Sequence, residues 1–174
     1  MRQRLSPVST GCLALLTAFA LSCSTTPSGL AHATIVARSG STVTGTASFG
    51  ERAGSLVVLV DISGATTGLH GVHIHQTGDC SAVDATSAGA HFNPFAASHG
   101  GPSSAQHHAG DLGNILVRND GTGHLEISSP LLSMSSGTGA IVNRAIVIHA
   151  VQDDFTTQPT GNSGGRVGCG VIQL

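Results

Sequence analysis

The chain has 174 residues, a length that suits one domain of ordinary size rather than two. Only 9% of the residues are charged, the formal net charge is −2, and all seven basic residues are Arg. The absence of Lys excludes Schiff-base and P-loop lysine chemistry, and the lack of a basic surface excludes a nucleic-acid partner. Ten His and 24 Gly in a chain with so few charges are typical of a metal-binding protein built from short strands and turns.

Residues 1–23 have the pattern of an export signal. Arg2 and Arg4 supply a positively charged start. Residues 12–21 form an apolar core that is too short to span a bilayer as a mature helix. We therefore expect the protein to be exported.

Two processing sites are compatible with this leader. Leu21-Ser22-Cys23 resembles the end of a bacterial lipobox, although Ala20 stands where Leu is usual. Processing there would leave a lipidated Cys23 that tethers the protein to a membrane in the bacterial periplasm or cell envelope, through a Ser/Thr/Pro-rich stretch over residues 24–33. Ala31-His32-Ala33 resembles an A-x-A cleavage site, far beyond the apolar core, and would release a soluble protein. The folded domain is expected over residues 34–174.

Two cysteines lie in the body of the protein, because Cys12 is inside the leader and Cys23 is at its end. In an oxidising compartment Cys80 and Cys169 most simply form a disulfide. The bond would close a loop of 89 residues, which makes it worth up to ~4–5 kcal/mol in the chain-entropy model. Two free buried thiols are the alternative.

From about residue 33 the chain reads as short strands of β-branched or alternating residues, separated by turn residues. Asn119-Asp120-Gly121 is a hairpin turn by type, and no useful helical periodicity follows the leader. We expect an all-β domain, an eight-stranded Greek-key barrel or immunoglobulin-like sandwich. The predicted strands are residues 33–38, 42–49, 55–63, 69–75, 114–118, 123–128, 144–150 and 166–173.

Two connections are much longer than the others, residues 76–113 and residues 151–165. Loops of this length inside a compact domain usually carry function. The first contains four of the ten His, so a metal and the disulfide are the expected means of holding it in place.

Candidate metal ligands lie both in strands and in the first long connection. His73 and His75 are two residues apart in a predicted strand, so both side chains project from one face, although an exposed pair without metal has the same spacing. His149 ends an apolar strand, where a ligand or a hydrogen-bonded core histidine would fit. Neutral imidazoles with one carboxylate are preferred ligands of zinc. The candidates in the connection are His91, His99, His108 and Asp111.

Five segments carry motifs that occur in a recognisable order and spacing. They are Gly71-Val-His-Ile-His75, Ser87-Ala-Gly-Ala-His-Phe-Asn-Pro94, His99-Gly-Gly-Pro102, His108-Ala-Gly-Asp-Leu-Gly-Asn114 and Thr160-Gly-Asn…Arg166-Val-Gly-Cys-Gly170. From about residue 34 to its end, the chain strongly resembles the copper/zinc superoxide dismutase family. This resemblance implies a β-sandwich or barrel of Greek-key topology.

The resemblance also implies a function, a cofactor pair and their ligands. The expected enzyme dismutes superoxide to O₂ and H₂O₂ by one-electron cycling of copper, and would protect the cell envelope from superoxide. The implied copper ligands are His73, His75, His91 and His149. The implied zinc ligands are His91, His99, His108 and Asp111. His91 would be an imidazolate that bridges the two metals.

Three further positions follow from the same resemblance. Arg166 matches a channel arginine that attracts the superoxide anion in the family. Asp153 matches a carboxylate that hydrogen-bonds one copper ligand and one zinc ligand, here His73 and His99. Cys80–Cys169 matches the family disulfide.

The chain also departs from the family pattern. The second connection contains Asp153 and Asp154 but neither Lys nor Glu, so Arg166 would attract superoxide nearly alone. Dimer contacts vary within the family, so a monomer and a homodimer are both compatible with the sequence. Four His fall outside the implied ligand set: His32, His70, His107 and His124. One of them, His107, adjoins His108 and could replace it as a ligand in a distorted site.

Two alternative functions are each suggested by part of the sequence. Gly161-Asn-Ser-Gly-Gly165 looks like the loop around a trypsin-type serine nucleophile, but Asn replaces Asp and the mature domain is too short for the two barrels of such a protease. The second alternative is a dismutase-like domain that binds or buffers copper and zinc without turnover. The complete set of ligands and the arginine favour the enzyme.

Overall fold

The computed structural model describes residues 28–174, so the predicted export signal and Cys23 lie outside the described residues. This part of the chain is all-β, as predicted, with eight strands and one 3₁₀ turn at Thr86–Ala88. It contains no helix long and apolar enough to cross a membrane. The strands are β1 (Ser28–Ala37), β2 (Thr44–Arg52), β3 (Ser55–Ser63), β4 (Gly68–His75), β5 (Asp111–Val117), β6 (Gly123–Ser129), β7 (Ala145–His149) and β8 (Arg166–Val171).

The strands form one closed antiparallel barrel in the order β1-β2-β3-β6-β5-β4-β7-β8, and β8 pairs back with β1. The pairing of β3 with β6 and of β4 with β7 skips sequence neighbours, which is the predicted Greek-key connectivity. The Asn119-Asp120-Gly121 turn joins β5 to β6, as predicted. Closure leaves no long unpaired sheet edge.

Alternate side chains of the strands fill the interior of the barrel. In β1 and β2, Ile35 and Phe49 are 1% exposed and belong to the main core. In β7 all five residues are buried, because Ile146 and Ile148 join the core while Val147 packs in a second cluster outside it. This double burial explains why His149 ends a run that reads as uniformly apolar.

The two long connections are residues 76–110, called here the first connection, and residues 150–165, the second connection. The Cys80–Cys169 disulfide joins the first connection to β8, with a Cα–Cα distance of 5.8 Å, which confirms the predicted pairing. Ala85 and Ala88 of the first connection pack with this disulfide against β7. The first connection therefore lies over the outer face of the barrel rather than in solvent.

The first strand begins earlier than predicted. It covers Ser28–Ala37, whereas the sequence predicted a strand over residues 33–38 after a tether over residues 24–33. Ala31 and Ala33 are nearly fully buried and pair with β2. Small residues have little intrinsic β-preference, so the pairing with β2 decides the structure here rather than local propensity.

Candidate metal centre

Two neighbouring strands present three histidines on the outer face of the barrel. His73 and His75 lie on β4, and His149 is the last residue of β7, which pairs antiparallel with β4. All three are 3% exposed or less. The ring centroids of His73 and His149 are 4.7 Å apart, and those of His75 and His149 are 5.6 Å apart. The period of the strand thus places His73 and His75 on one face, as predicted.

The first connection brings His91 against these strand histidines. An isolated antiparallel bridge pairs His91 with His75, and the backbone N–H of Phe92 donates to the carbonyl of Ile74 at 2.8 Å. The rings of His91 and His73 are stacked with centroids 3.8 Å apart. Gly110 permits this approach, because a Cβ there would overlap the carbonyl of Ile74.

The candidate ligands form two buried clusters that share one residue. Within each cluster, one possible ligand atom per residue lies within 4.8 Å of the others. The first cluster is His73, His75, His91 and His149. The second cluster is His91, His99, His108 and Asp111. The structure therefore brings together all seven residues that the resemblance implied as ligands.

The ring nitrogens of the first cluster turn their lone pairs toward one another. The Nδ1–H of His75 donates to the carbonyl of Gly89 at 2.9 Å, and the Nδ1–H of His149 donates to that of Gly164 at 3.3 Å. Because a neutral imidazole carries one N–H, both Nε2 atoms bear lone pairs, and they lie 3.4 Å apart. Two lone pairs at this distance repel each other unless a cation lies between them. The residues therefore fit a bound metal.

Burial keeps these imidazoles neutral. It holds the pKa of His73 well below its usual range, with further lowering by the neighbouring His91 and His149. Burial likewise lowers the pKa of His75 to about 2 and that of His149 to about 4. Neutral imidazole is the form in which histidine binds a metal.

The second cluster is arranged around the Asp111 carboxylate. Its Oδ1 lies 3.0 Å from His91 Nδ1 and 3.2 Å from His108 Nδ1, and its Oδ2 lies 3.1 Å from His99 Nδ1. Asp111 Oδ2 also accepts the backbone N–H of His108 at 2.8 Å and that of Gly100 at 3.2 Å. Burial raises the pKa of Asp111, but the His91 hydrogen bond and the nearby histidines outweigh it and lower that pKa overall. An ionised carboxylate among three imidazoles suits a divalent zinc ion.

Within residues 28–174, four buried ring nitrogens make no hydrogen bond, and each belongs to one of the clusters; two of them lie close to the Asp111 carboxylate, but not in hydrogen-bond geometry. A buried polar atom without a partner costs about 1–3 kcal/mol, so such atoms need a ligand. These atoms are His73 Nδ1, His91 Nε2, His99 Nδ1 and His108 Nδ1. Metals bound in the two clusters would satisfy all four.

Asp153 connects the two clusters from the second connection. The Nε2–H of His73 donates to Asp153 Oδ2 at 2.7 Å, and the Nε2–H of His99 donates to Oδ1 at 2.9 Å. Since a carboxylate only accepts, both rings must carry their proton on Nε2, which leaves Nδ1 free for a metal. Asn114 holds the Asp153 backbone through two hydrogen bonds of 2.8 and 2.9 Å.

Comparison with known proteins agrees with this geometry. The family model described as copper/zinc superoxide dismutase (SODC) matches residues 43–172. The extracellular superoxide dismutase (Cu-Zn) of Brugia pahangi is 40% identical over 141 residues, which cover 76% of this chain and 70% of that protein. The chain belongs to the copper/zinc superoxide dismutase family. It is an oxidoreductase that dismutes superoxide, and its cofactors are copper and zinc.

Arg166 of this dismutase lies at the edge of the first cluster. Its Nη1–H and Nη2–H groups donate to the carbonyls of Ala85 and Gly89, each at 2.6 Å. Its positive charge contributes to lowering the pKa of both His75 and His149, after burial and other neighbours. The carbonyl of Gly89 accepts from both His75 and Arg166, so one peptide group positions a ligand and the arginine.

The remaining histidines of the dismutase lie outside both clusters. His70 is buried, and its Nδ1 lies 2.8 Å from the His149 carbonyl. His107 Nδ1 lies 2.7 Å from the backbone carbonyl of His108. His124 pairs with Asp61 on the surface. Sequence reasoning assigned no role to His70, Asn114 or the Gly89 carbonyl. Their contacts join distant parts of the chain, and no local pattern predicts those contacts.

Proposed function

We propose that the two clusters hold copper and zinc separately and share His91. The first cluster, with four imidazoles, would bind copper through His73, His75, His91 and His149. The second, with three imidazoles and a carboxylate, would bind zinc through His91, His99, His108 and Asp111. The observation that carries this assignment is the position of His91: its Nδ1 lies 3.0 Å from Asp111, while its Nε2 is buried without a partner.

Bound copper would supply a one-electron couple: one superoxide ion gives up an electron and leaves as O₂, and a second accepts that electron and two protons to give H₂O₂. His91 Nε2 is the atom that can take up a proton when it is not bound to a metal, which would balance charge when an electron arrives. Asp153 keeps the Nε2 proton on His73 and His99, so that their Nδ1 atoms stay available. The zinc ligands hold the first connection against the barrel.

Arg166 is proposed to attract superoxide to the copper ligands. Its guanidinium is fixed by two carbonyls beside His75 and His149, and a fixed cation next to a buried site raises the local concentration of a small anion. The R166A variant should keep both metals, lose about tenfold or more in kcat/KM, and show a weaker dependence of rate on salt. An unchanged rate at low salt would refute this role.

Metal content and turnover test the whole assignment. We expect one copper and one zinc per chain, and dismutase activity that survives removal of loosely bound metal but is lost in H75A. D111N should lose zinc in preference to copper. Stoichiometric copper binding with no activity above that of free copper would instead support the alternative of a copper- and zinc-buffering domain.

We also propose that the enzyme is exported and anchored as a lipoprotein through Cys23, in a bacterial periplasm or envelope, where it removes extracytoplasmic superoxide. The relative from Brugia pahangi is named as extracellular. Cleavage after Ala33 would remove β1 from Ser28 to Ala33, including the buried Ala31, which supports processing upstream. Mass spectrometry of the mature N-terminus tests this: a lipidated Cys23 is expected, and its loss in C23A. Light scattering of the purified protein distinguishes a monomer from a homodimer.

A further inference from the structure

Gln158, in the second connection, makes a paired hydrogen bond with the backbone of His99. Its Oε1 accepts the N–H of His99 at 2.8 Å, and its Nε2–H donates to the carbonyl of His99 at 2.9 Å. One side-chain amide thus satisfies both backbone groups of a residue that is 4% exposed. His99 lies outside every strand, so no ladder within the described residues holds its backbone.

The ring of His99 is held from the same side. Its Nε2–H donates to Asp153 Oδ1, which leaves Nδ1 facing Asp111 Oδ2 at 3.1 Å. The second connection therefore fixes both the backbone of His99, through Gln158, and its ring orientation, through Asp153. Ring orientation alone does not determine the position of Nδ1, because the backbone determines the position of the Cβ atom to which the ring is attached.

The turn that carries Gln158 packs tightly on this pair. The N–H of Gly161 donates to the carbonyl of Thr157 at 2.7 Å, which closes a turn around Gln158. Gly161 has a φ of +64°, and a Cβ there would lie 2.5 Å from His99 Nε2 and would overlap Asp153. The backbone of the second connection is therefore in direct contact with His99.

We propose that Gln158 is a positioning residue for zinc: it fixes the His99 backbone so that Nδ1 is preorganised toward Asp111. The inference rests on the proposed assignment of the second cluster to zinc. Residues that orient metal ligands typically contribute 10–100-fold to metal affinity. We expect zinc affinity to fall by about this factor when the amide is removed. Copper affinity should change little, because the cluster residue that Gln158 contacts is His99, which belongs to the second cluster.

Two variants of Gln158 and one control test the proposal in the full protein. Q158M keeps the length of the side chain but removes both hydrogen bonds. Q158E keeps the shape and one acceptor, but places its second oxygen against the His99 carbonyl, so its zinc affinity should fall at least as far. Q173M is the matched control, because Gln173 is exposed at the end of the chain and its side chain makes no contact with the clusters.

Three measurements distinguish positioning from a general structural role. Chelator competition on the folded protein should give a zinc Kd raised about 10–100-fold in Q158M and unchanged in Q173M. Cobalt bound in the zinc cluster should show an altered visible d–d spectrum in both Gln158 variants. The unfolding midpoint of the metal-free protein reports any separate loss of stability.

Zinc Kd values within twofold of wild type and an unchanged cobalt spectrum in both variants would overturn the proposal, even if the metal-free protein were less stable. A zinc affinity of D111N equal to that of wild type would refute the zinc assignment itself. That outcome is distinct from a failure that concerns Gln158 alone, in which D111N loses zinc and Q158M does not.

Discussion

Removal of the Cys80–Cys169 disulfide tests how far the first connection depends on a covalent link. The bond has a sequence separation of 89 residues. In the chain-entropy model, a loop of that length restricts the unfolded chain by about 4.6 kcal/mol at 25 °C. Cys169 is fully buried among Ala85, Ala88 and Val147, so C80A/C169A is preferable to a serine pair, which would bury an unpaired hydroxyl.

The same segment of the first connection positions Arg166, to which we assign a role in attracting superoxide. Ala85 and Gly89 supply the two carbonyls that hold Arg166, and the Gly89 carbonyl also orients His75. We expect C80A/C169A to lower the free energy of unfolding of the metal-free protein by ~3–5 kcal/mol. We also expect kcat/KM to fall at a temperature at which the variant is folded, because the arginine loses its fixed position.

Urea denaturation of the metal-free protein measures the first effect, and steady-state kinetics of the metal-loaded protein measures the second. Wild type with and without a reducing agent is the internal control, because the Ala variant should be insensitive to reduction. A loss of less than ~1 kcal/mol with unchanged kinetics would show that packing alone holds the connection, and the chain-entropy argument would fail for this fold.

Two further predictions concern the metal-binding region. G161A should destabilise the protein by ~1–3 kcal/mol and lower zinc retention, because the new Cβ would overlap Asp153 at a position with left-handed backbone. G165A is the control, because a Cβ at Gly165 would meet open space. Thermal unfolding and metal analysis should show a loss for G161A and no change for G165A. The metal-free protein should lose stability as the pH falls below 6.5, since the folded-state pKa values of His75 (about 2) and His149 (about 4) are depressed and only the unfolded chain takes up protons there. Each histidine contributes at most about 1.4 kcal/mol per pH unit, and urea midpoints that are flat or rise between pH 6.5 and 4.5 would contradict this.

The fold was predictable because its signals are local. Alternation and turn residues predicted β3 at Ser55–Ser63 without error and most other strands to within a few residues. The shared face of His73 and His75 follows from the strand period alone. β1 was predicted too late, because Ala31 and Ala33 are small and their strand conformation comes from pairing with β2.

The contacts that orient the ligands were not predictable in the same way. Gln158 and His99 are 59 positions apart, and both lie in segments without periodicity. The chain carries other Gln residues, and nothing in the local sequence separates Gln158 from them. Asn114 ends one of the family motifs, but its two hydrogen bonds to the Asp153 backbone depend on the way the second connection folds over β5.

The two long connections lack regular secondary structure over most of their length, so a few contacts determine their position. His91 belongs to both clusters, and Asp153 accepts from one histidine of each. A metal that orders one cluster would therefore order part of the other. The second metal would then bind with a smaller loss of conformational entropy. Because such coupling is reciprocal, we expect zinc to change the affinity for copper by the same factor by which copper changes the affinity for zinc. The shared residues therefore predict cooperative binding of the two metals, in which a zinc ion in the second cluster would support the geometry of the proposed copper ligands.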